Sequence, residues 1–241
     1  MSVIGDFYEK LLYLVSVPKC VGCDEPLDFP ARALCPECLS KYEITKDRNC
    51  PRCSRQLNKC DCANKFLLSH GVKRLIKVFR YKVSDENTAA NSLIYSLKQD
   101  NRRDVFGFLA AEMAKSVSEN VKNPNEYIFT NVPRRAKAVT KYGIDHAALL
   151  AKALAKQFGA EYIPLLKSGA TRPQKEMHGI DRLKNAEVAP RSDISLKGRR
   201  IILVDDIVTT GASMSVSAMT LRSMGAREIV GATVAIAYKN D

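Results

Sequence analysis

Eight cysteines, all between positions 20 and 62 of a 241-residue chain, restrict what this sequence can fold into. They come as four close pairs: Cys20/Cys23, Cys35/Cys38, Cys50/Cys53 and Cys60/Cys62. The first three are C-x-x-C turns separated by eleven residues each time, and the last is C-x-C. Tetrahedral zinc takes four thiolates at about 2.3 Å, and one C-x-x-C knuckle delivers two of them. Four pairs therefore make two sites. Sequential pairing is expected, Cys20/Cys23 with Cys35/Cys38 and Cys50/Cys53 with Cys60/Cys62; the sequence leaves a crossed arrangement open. Disulfides need an oxidising compartment. Asp6 and Glu9 stand where a secretory signal would be positive, so no export is expected and a cytoplasmic location follows. A redox C-x-x-C stands singly beside a βαβ unit, not in a string. With four thiolates each, both zincs are closed, structural sites without a catalytic position.

The pattern of the rest divides the chain into an N-terminal helix plus eight-cysteine zinc-ribbon module at 1–65 and a larger domain at 66–241. Residues 72–81 (VKRLIKVFRY) read as an edge strand, followed by amphipathic helices over 86–98 and 103–120. YIFTNV (127–132) reads as a buried strand that Pro133 stops. A helix over 143–158 ends at Gly159, and YIPLL (162–166) is a short strand. RRIILVDD, SMSVSAMTLRSMG and EIVGATVAIA then give strand, helix and strand. Alternating strands and helices predict an α/β domain with a mainly parallel sheet. No stretch has the roughly 18 apolar residues needed to span a bilayer.

The formal charge of +12 points to anionic partners, and its location matters more than its size. Residues 1–65 hold 10 basic and 9 acidic side chains, whereas 134–200 hold 15 and 6. Much of the latter segment, 168–198, is a long polar loop, a candidate for covering a substrate.

The chemical centre is Ile201-Ile202-Leu203-Val204-Asp205-Asp206-Ile207-Val208-Thr209-Thr210-Gly211-Ala212-Ser213. Ligands of open parallel sheets bind outside the carboxyl ends of strands, where these acids are expected to fall. The Thr-Thr-Gly-Ala-Ser loop enters a helix, and its N–H groups and hydroxyls suit a phosphate dianion. Carboxylates beside a phosphate cradle make sense for a ligand with a diol at one end and a phosphate at the other, as in ribose 5-phosphate. Asp205 and Asp206 would meet the diol or magnesium-bound water; Thr209, Thr210, Gly211, Ala212 and Ser213 would grip the 5-phosphate. Neither a Walker loop nor a G-x-G-x-x-G fingerprint is present.

VDDIVTTGAS resembles the phosphoribosyl-pyrophosphate (PRPP) motif of type I phosphoribosyltransferases, which implies their sheet topology and a magnesium-assisted PRPP site. From about 20 to 238, a cysteine-rich module followed by such a domain resembles the ComF family of competence-associated proteins. Tyr81, Lys98, Val132-Pro133-Arg134-Arg135, Gly143 and Thr171-Pro173-Gln174 leading to Arg182 and Asn185 agree with that resemblance. The family often carries Arg-Gly-Phe-Asn-Gln where this chain has Tyr142-Gly143-Ile144-Asp145-His146.

The ComF resemblance implies a role in natural transformation, handling incoming single-stranded DNA, with a competence helicase as a partner through the zinc module. The alternative from another class is an active, magnesium-dependent phosphoribosyltransferase of nucleotide metabolism, a glycosyltransferase by chemistry; a third is a PRPP sensor without turnover. Turnover would need cations on the leaving pyrophosphate, for which Arg134, Arg135, Arg172, Lys175 and Arg182 are candidates. His146 and His178 are candidate acid–base groups, although a loop histidine is more often a surface residue. With no Trp, and Tyr142 and Tyr162 as the nearby rings, base stacking has thin support.

Overall fold

A computed structural model describes residues 17–28, 32–82, 88–134, 143–169 and 188–238. Five parallel strands form the central sheet: β1 (Leu75–Lys82), β2 (Tyr127–Asn131), β3 (Glu161–Tyr162), β6 (Arg200–Val208) and β7 (Glu228–Tyr238). Their spatial order is β1-β7-β6-β2-β3, so 75–82 is an edge strand as its sequence predicts. Helices α1 (Pro36–Lys46) and α2 (Lys65–Ser69) precede the sheet; α3 (Ala89–Gln99), α4 (Arg103–Asn120), α5 (His146–Phe158) and α6 (Ala212–Ser223) are woven between its strands.

Local chemistry sets these boundaries. Pro36 opens α1 behind Cys35, where a helix has no need of the missing N–H. Thr88 and Asp145 cap α3 and α5 by accepting the N–H of Asn91 (3.2 Å) and Ala148 (3.1 Å). Gly159 ends α5 with φ 62°, a left-handed C-cap.

The 162–166 strand needs correction. Ladder pairing stops at Tyr162, because Pro164 has no N–H to give and Leu165 turns its own inward to Ile163 O (2.9 Å) and Thr130 Oγ1 (3.2 Å). The chain then forms β4 (Leu166–Ser168), antiparallel to β5 (Val188–Pro190). Those two strands bracket the long basic segment, of which 170–187 lies outside the described residues.

Alternation along β6 feeds two cores, one on each face of the sheet. Ile202 and Val204 join Phe79, Leu93, Leu109 and Leu150 under α3, α4 and α5. Ile201 and Leu203 join Leu67, Met214 and Leu221 beneath α2 and α6. The cysteine segment has more core than its loop-rich sequence suggests. Cys20, Leu34, Cys38 and Tyr42 belong to the first cluster, and Tyr42 meets Phe79 and Phe108 edge to face at 5.6 and 5.2 Å. Glu112, buried on α4, accepts from Lys46 (3.0 Å) and Tyr42 (3.3 Å) of α1 and from Lys115 (2.7 Å). No helix among the described residues is long and apolar enough to cross a membrane.

Candidate functional site

The acid pair lies inside the last part of β6 rather than beyond it. Pairing with β7 continues through Ile207↔Ala235 and Val208↔Ile236, and Thr233 Oγ1 donates to Asp206 O at 2.9 Å. Strict alternation ends here: Ile207 joins the first core and Val208 the second, and the Asp205 and Asp206 side chains interact directly.

Their environments split them. Asp206 is buried and ion-paired with Arg134, which follows β2 through Val132-Pro133. Burial alone would raise its carboxyl, but Arg134 and then Lys98 outweigh that and hold it below the usual carboxylate range. Asp205 goes the other way. Burial and the neighbouring Asp206 charge push its carboxyl well above the ordinary value. It has no ion-pair partner among the described residues; its Oδ1 accepts the Asp206 N–H at 2.9 Å.

The following loop is open. Thr209, Thr210 and Ser213 are exposed, and Gly211 turns with φ 92° into α6. Its N-cap, Gly211, has no side chain to bond the helix, and the first turn has no acid. Thr210 Oγ1 accepts the Ala212 N–H at 3.3 Å. A twelve-residue helix with a glycine N-cap and three hydroxyls at its mouth is suited to an anion.

His146 departs from the expectation of a surface residue. It opens α5, is 2% exposed, and its Nε2 lies 2.9 Å from Asn101 Oδ1. With Asn101 Oδ1 as the acceptor the proton is assigned to Nε2, and Nδ1 is buried without a hydrogen-bond partner. Burial first, then the Arg134 charge, lowers its pKa. A cavity of about 190 Å³ adjoins it, walled by Leu97, Phe106, Ile144 and Leu149. Its burial rests on packing between the α3–α4 connection and α5, a long-range relation with no local sequence signal. The preceding Asp145 caps α5 and lies 3.5 Å from Asn131 Nδ2, so this Asp-His pair is structural at its own position.

The thiols converge as two groups, Cys20/Cys23/Cys35/Cys38 and Cys50/Cys53/Cys60/Cys62, each with its sulfurs within 4.8 Å of one another. Cys23 and Cys35 Sγ are 3.8 Å apart, and Cys53 and Cys60 Sγ are 3.5 Å apart. Four sulfurs at about 2.3 Å from one metal would be separated by about 3.8 Å, so the sets fit a tetrahedral thiolate site. Burial raises Cys20, but N–H groups of Cys35, Gly22 and Cys23 outweigh it and bring the thiol down to about 7. The Arg55 N–H is the main reason Cys53 falls to about 6. Sequence reasoning missed Lys77. Wholly buried on β1, its ammonium donates to Cys60 Sγ (3.2 Å), Cys60 O (3.0 Å) and Cys62 O (3.0 Å). A cation is needed there, because four thiolates on one divalent metal carry net charge −2.

Of the cationic candidates, Arg134 is seated on Asp206. Arg135, Arg172, Lys175 and Arg182 lie outside the described residues, as do Tyr142 and His178.

A mainly parallel sheet whose β6 ends in an acid pair and a Thr-Thr-Gly turn into α6 marks a phosphoribosyltransferase-like domain, and the phosphoribosyl transferase domain family matches residues 143–241. The resemblance to the ComF family holds across both parts of the chain. It is 26% identical to competence protein ComFC of Streptococcus pneumoniae over 81% of this chain and 84% of that one. It is 24% identical to the DNA utilization protein YhgH of Escherichia coli over 90% and 96%. A purine phosphoribosyltransferase from Pyrococcus horikoshii superposes on 54% of this chain and 81% of its own with TM-score 0.37 and 15% identity.

Proposed function

We propose that this chain is a DNA-handling protein of natural transformation, working in the cytoplasm and carrying a ribose-5-phosphate or PRPP site. The observation that most supports that site is the acid pair on β6 running directly into a glycine-capped, hydroxyl-lined helix mouth. In this reading Thr209, Thr210 and Ser213 hydroxyls and the N–H groups of 211–213 hold the 5-phosphate, while Asp205 faces the ribose hydroxyls. Asp206, already neutralised by Arg134, fixes that arginine at the mouth of the site. Magnesium fits as a companion of the ligand, since Asp205 is a carboxylate with no ion-pair partner among the described residues; Asp205 and Asp206 would hold it. When bound it supplies positive charge to a pyrophosphate. The two cysteine sets take structural zinc, which requires reduced thiols.

The DNA reading is supported by the likeness to competence protein ComFC and DNA utilization protein YhgH and by the positive surplus in 134–200. We propose single-stranded DNA as the partner of that basic region and a protein, such as a competence helicase, as the partner of the zinc module. Phosphate contacts release counterions, so affinity for an oligonucleotide should fall by orders of magnitude between about 50 and 200 mM salt. Undetectable or salt-insensitive binding sinks the DNA assignment.

The second reading, an active phosphoribosyltransferase, is favoured by the match to the transferase domain family. Pyrophosphate release from PRPP with pooled nucleobases, above an Asp205→Ala and Asp206→Ala background, would establish it. Arg134 weighs against turnover, being engaged by Asp206 instead of open to a leaving group.

A further inference from the structure

The 209–213 loop leans on α2, the short helix that follows the cysteine pairs. Gly211 packs so closely that a Cβ there would come within 2.7 Å of Leu67 Cγ. Leu67 is wholly buried in the core that also holds Leu203, Val208 and Met214. Asn64 grips the loop from the same side. Its Nδ2 donates to Thr210 O at 3.3 Å, and its Oδ1 caps α2 by accepting the Leu67 N–H at 2.8 Å. One side chain thus starts the helix and holds the loop.

Where α2 starts is in turn set by the second cysteine set, whose last ligand, Cys62, lies two residues before Asn64. That set is fastened to the sheet by Lys77 on Cys60 and Cys62 and by the Leu75 N–H on Asp61 O (2.7 Å). Arg222 of α6 donates to Gly71 O at 2.8 Å and closes the far end of α2. The first set lies against the opposite core, with Tyr42 and Phe79, and has no such route to the loop.

We infer that Asn64 and Leu67 are positioning residues for the 209–213 loop, and that metal in the second cysteine set braces that loop from beneath. A metal site that touches no ligand would then control affinity for a phosphate-bearing one, by holding the loop in its binding shape before the ligand arrives. The consequence for affinity rests on the proposed phosphate site; the brace itself does not.

Amide hydrogen exchange of the full zinc-loaded chain, read beside titration with ribose 5-phosphate, tests it. Asn64→Ala, Leu67→Ala and Cys53→Ser should each speed exchange over 211–215 by about tenfold while β2 keeps its protection. They should weaken ribose 5-phosphate by a similar factor. Asn64 is a polar cap rather than core, so its variant keeps the test valid if Leu67→Ala does not fold. Cys23→Ser should instead loosen α1. Unchanged exchange over 211–215 in Asn64→Ala and Leu67→Ala overturns the brace, and so does equal loosening of that loop by Cys23→Ser. Faster exchange in a protein that takes no ribose 5-phosphate upholds the brace and removes the phosphate assignment.

Discussion

Asp205 and its neighbour are one residue apart and titrate in opposite directions: Arg134 and Lys98 hold Asp206 down, whereas at Asp205 burial and the Asp206 charge outweigh Arg134. The sign of the stability effect follows. A carboxyl whose folded pKa is raised contributes stability only below its unfolded pKa and opposes folding as pH rises through the folded value. Asp205→Asn should therefore raise the melting temperature at pH 7–8 by a few degrees, roughly what 1 kcal/mol gives a chain of this size, and the gain should vanish near pH 4. Thermal melts across that range check it. Equal melting temperatures throughout would mean that Asp205 is well solvated. Asp206→Asn should do the reverse, since it removes a carboxylate paired with the largely buried Arg134 side chain. The same substitution that stabilises the fold should weaken ribose-phosphate binding, the usual relation between a strained site and its scaffold.

Among the elements, α1 is tied to α4 by Glu112, whose burial would raise its pKa but whose Lys115 and Lys46 partners hold it down. Removing it leaves the largely buried Lys46 without its interior anion, so Glu112→Ala should cost about 3 kcal/mol in denaturant unfolding. Lys115→Ala, at an exposed position, should cost under about 0.5 kcal/mol. A depressed carboxyl contributes stability above its unfolded pKa, so the Glu112 contribution should disappear as pH falls below about 4. Most elements were legible in the sequence where the signal is local. Hydrophobic periodicity marked α3, α4, β2 and β7, the Gly159 stop marked the end of α5, and cysteine spacing marked two tetrads. Long-range relations were not legible. Nothing near Lys77 signals that it ends against Cys60, nothing near Leu67 that it props Gly211, and nothing in YGIDH that His146 is buried on Asn101. Pro164 was visible, yet its consequence, a strand cut short and a new ribbon begun, depended on where β5 returns.

For the whole molecule, zinc in both tetrads would redraw the charge. Eight thiolates and two Zn²⁺ would take the formal +12 to about +8, making residues 1–65 near −3 while 66–241 keep +11. The proposed anionic partner would then be directed to the second part. The module is nevertheless not a loose appendage, since Cys20, Cys38 and Tyr42 share one core with the sheet and Ala63 shares the other. Chelation should lower the stability of the entire chain in one cooperative transition instead of releasing only the head, and calorimetry with and without chelator would show one endotherm shifting rather than two separating. The central claim, that residues 205–213 hold a ribose phosphate, is tested most directly by isothermal titration of ribose 5-phosphate with magnesium into the wild type and a Thr209→Val, Thr210→Val double variant. Saturable binding to the wild type, weakened about tenfold or more in the variant, is the predicted result. No binding to the wild type, or equal binding to both, contradicts it.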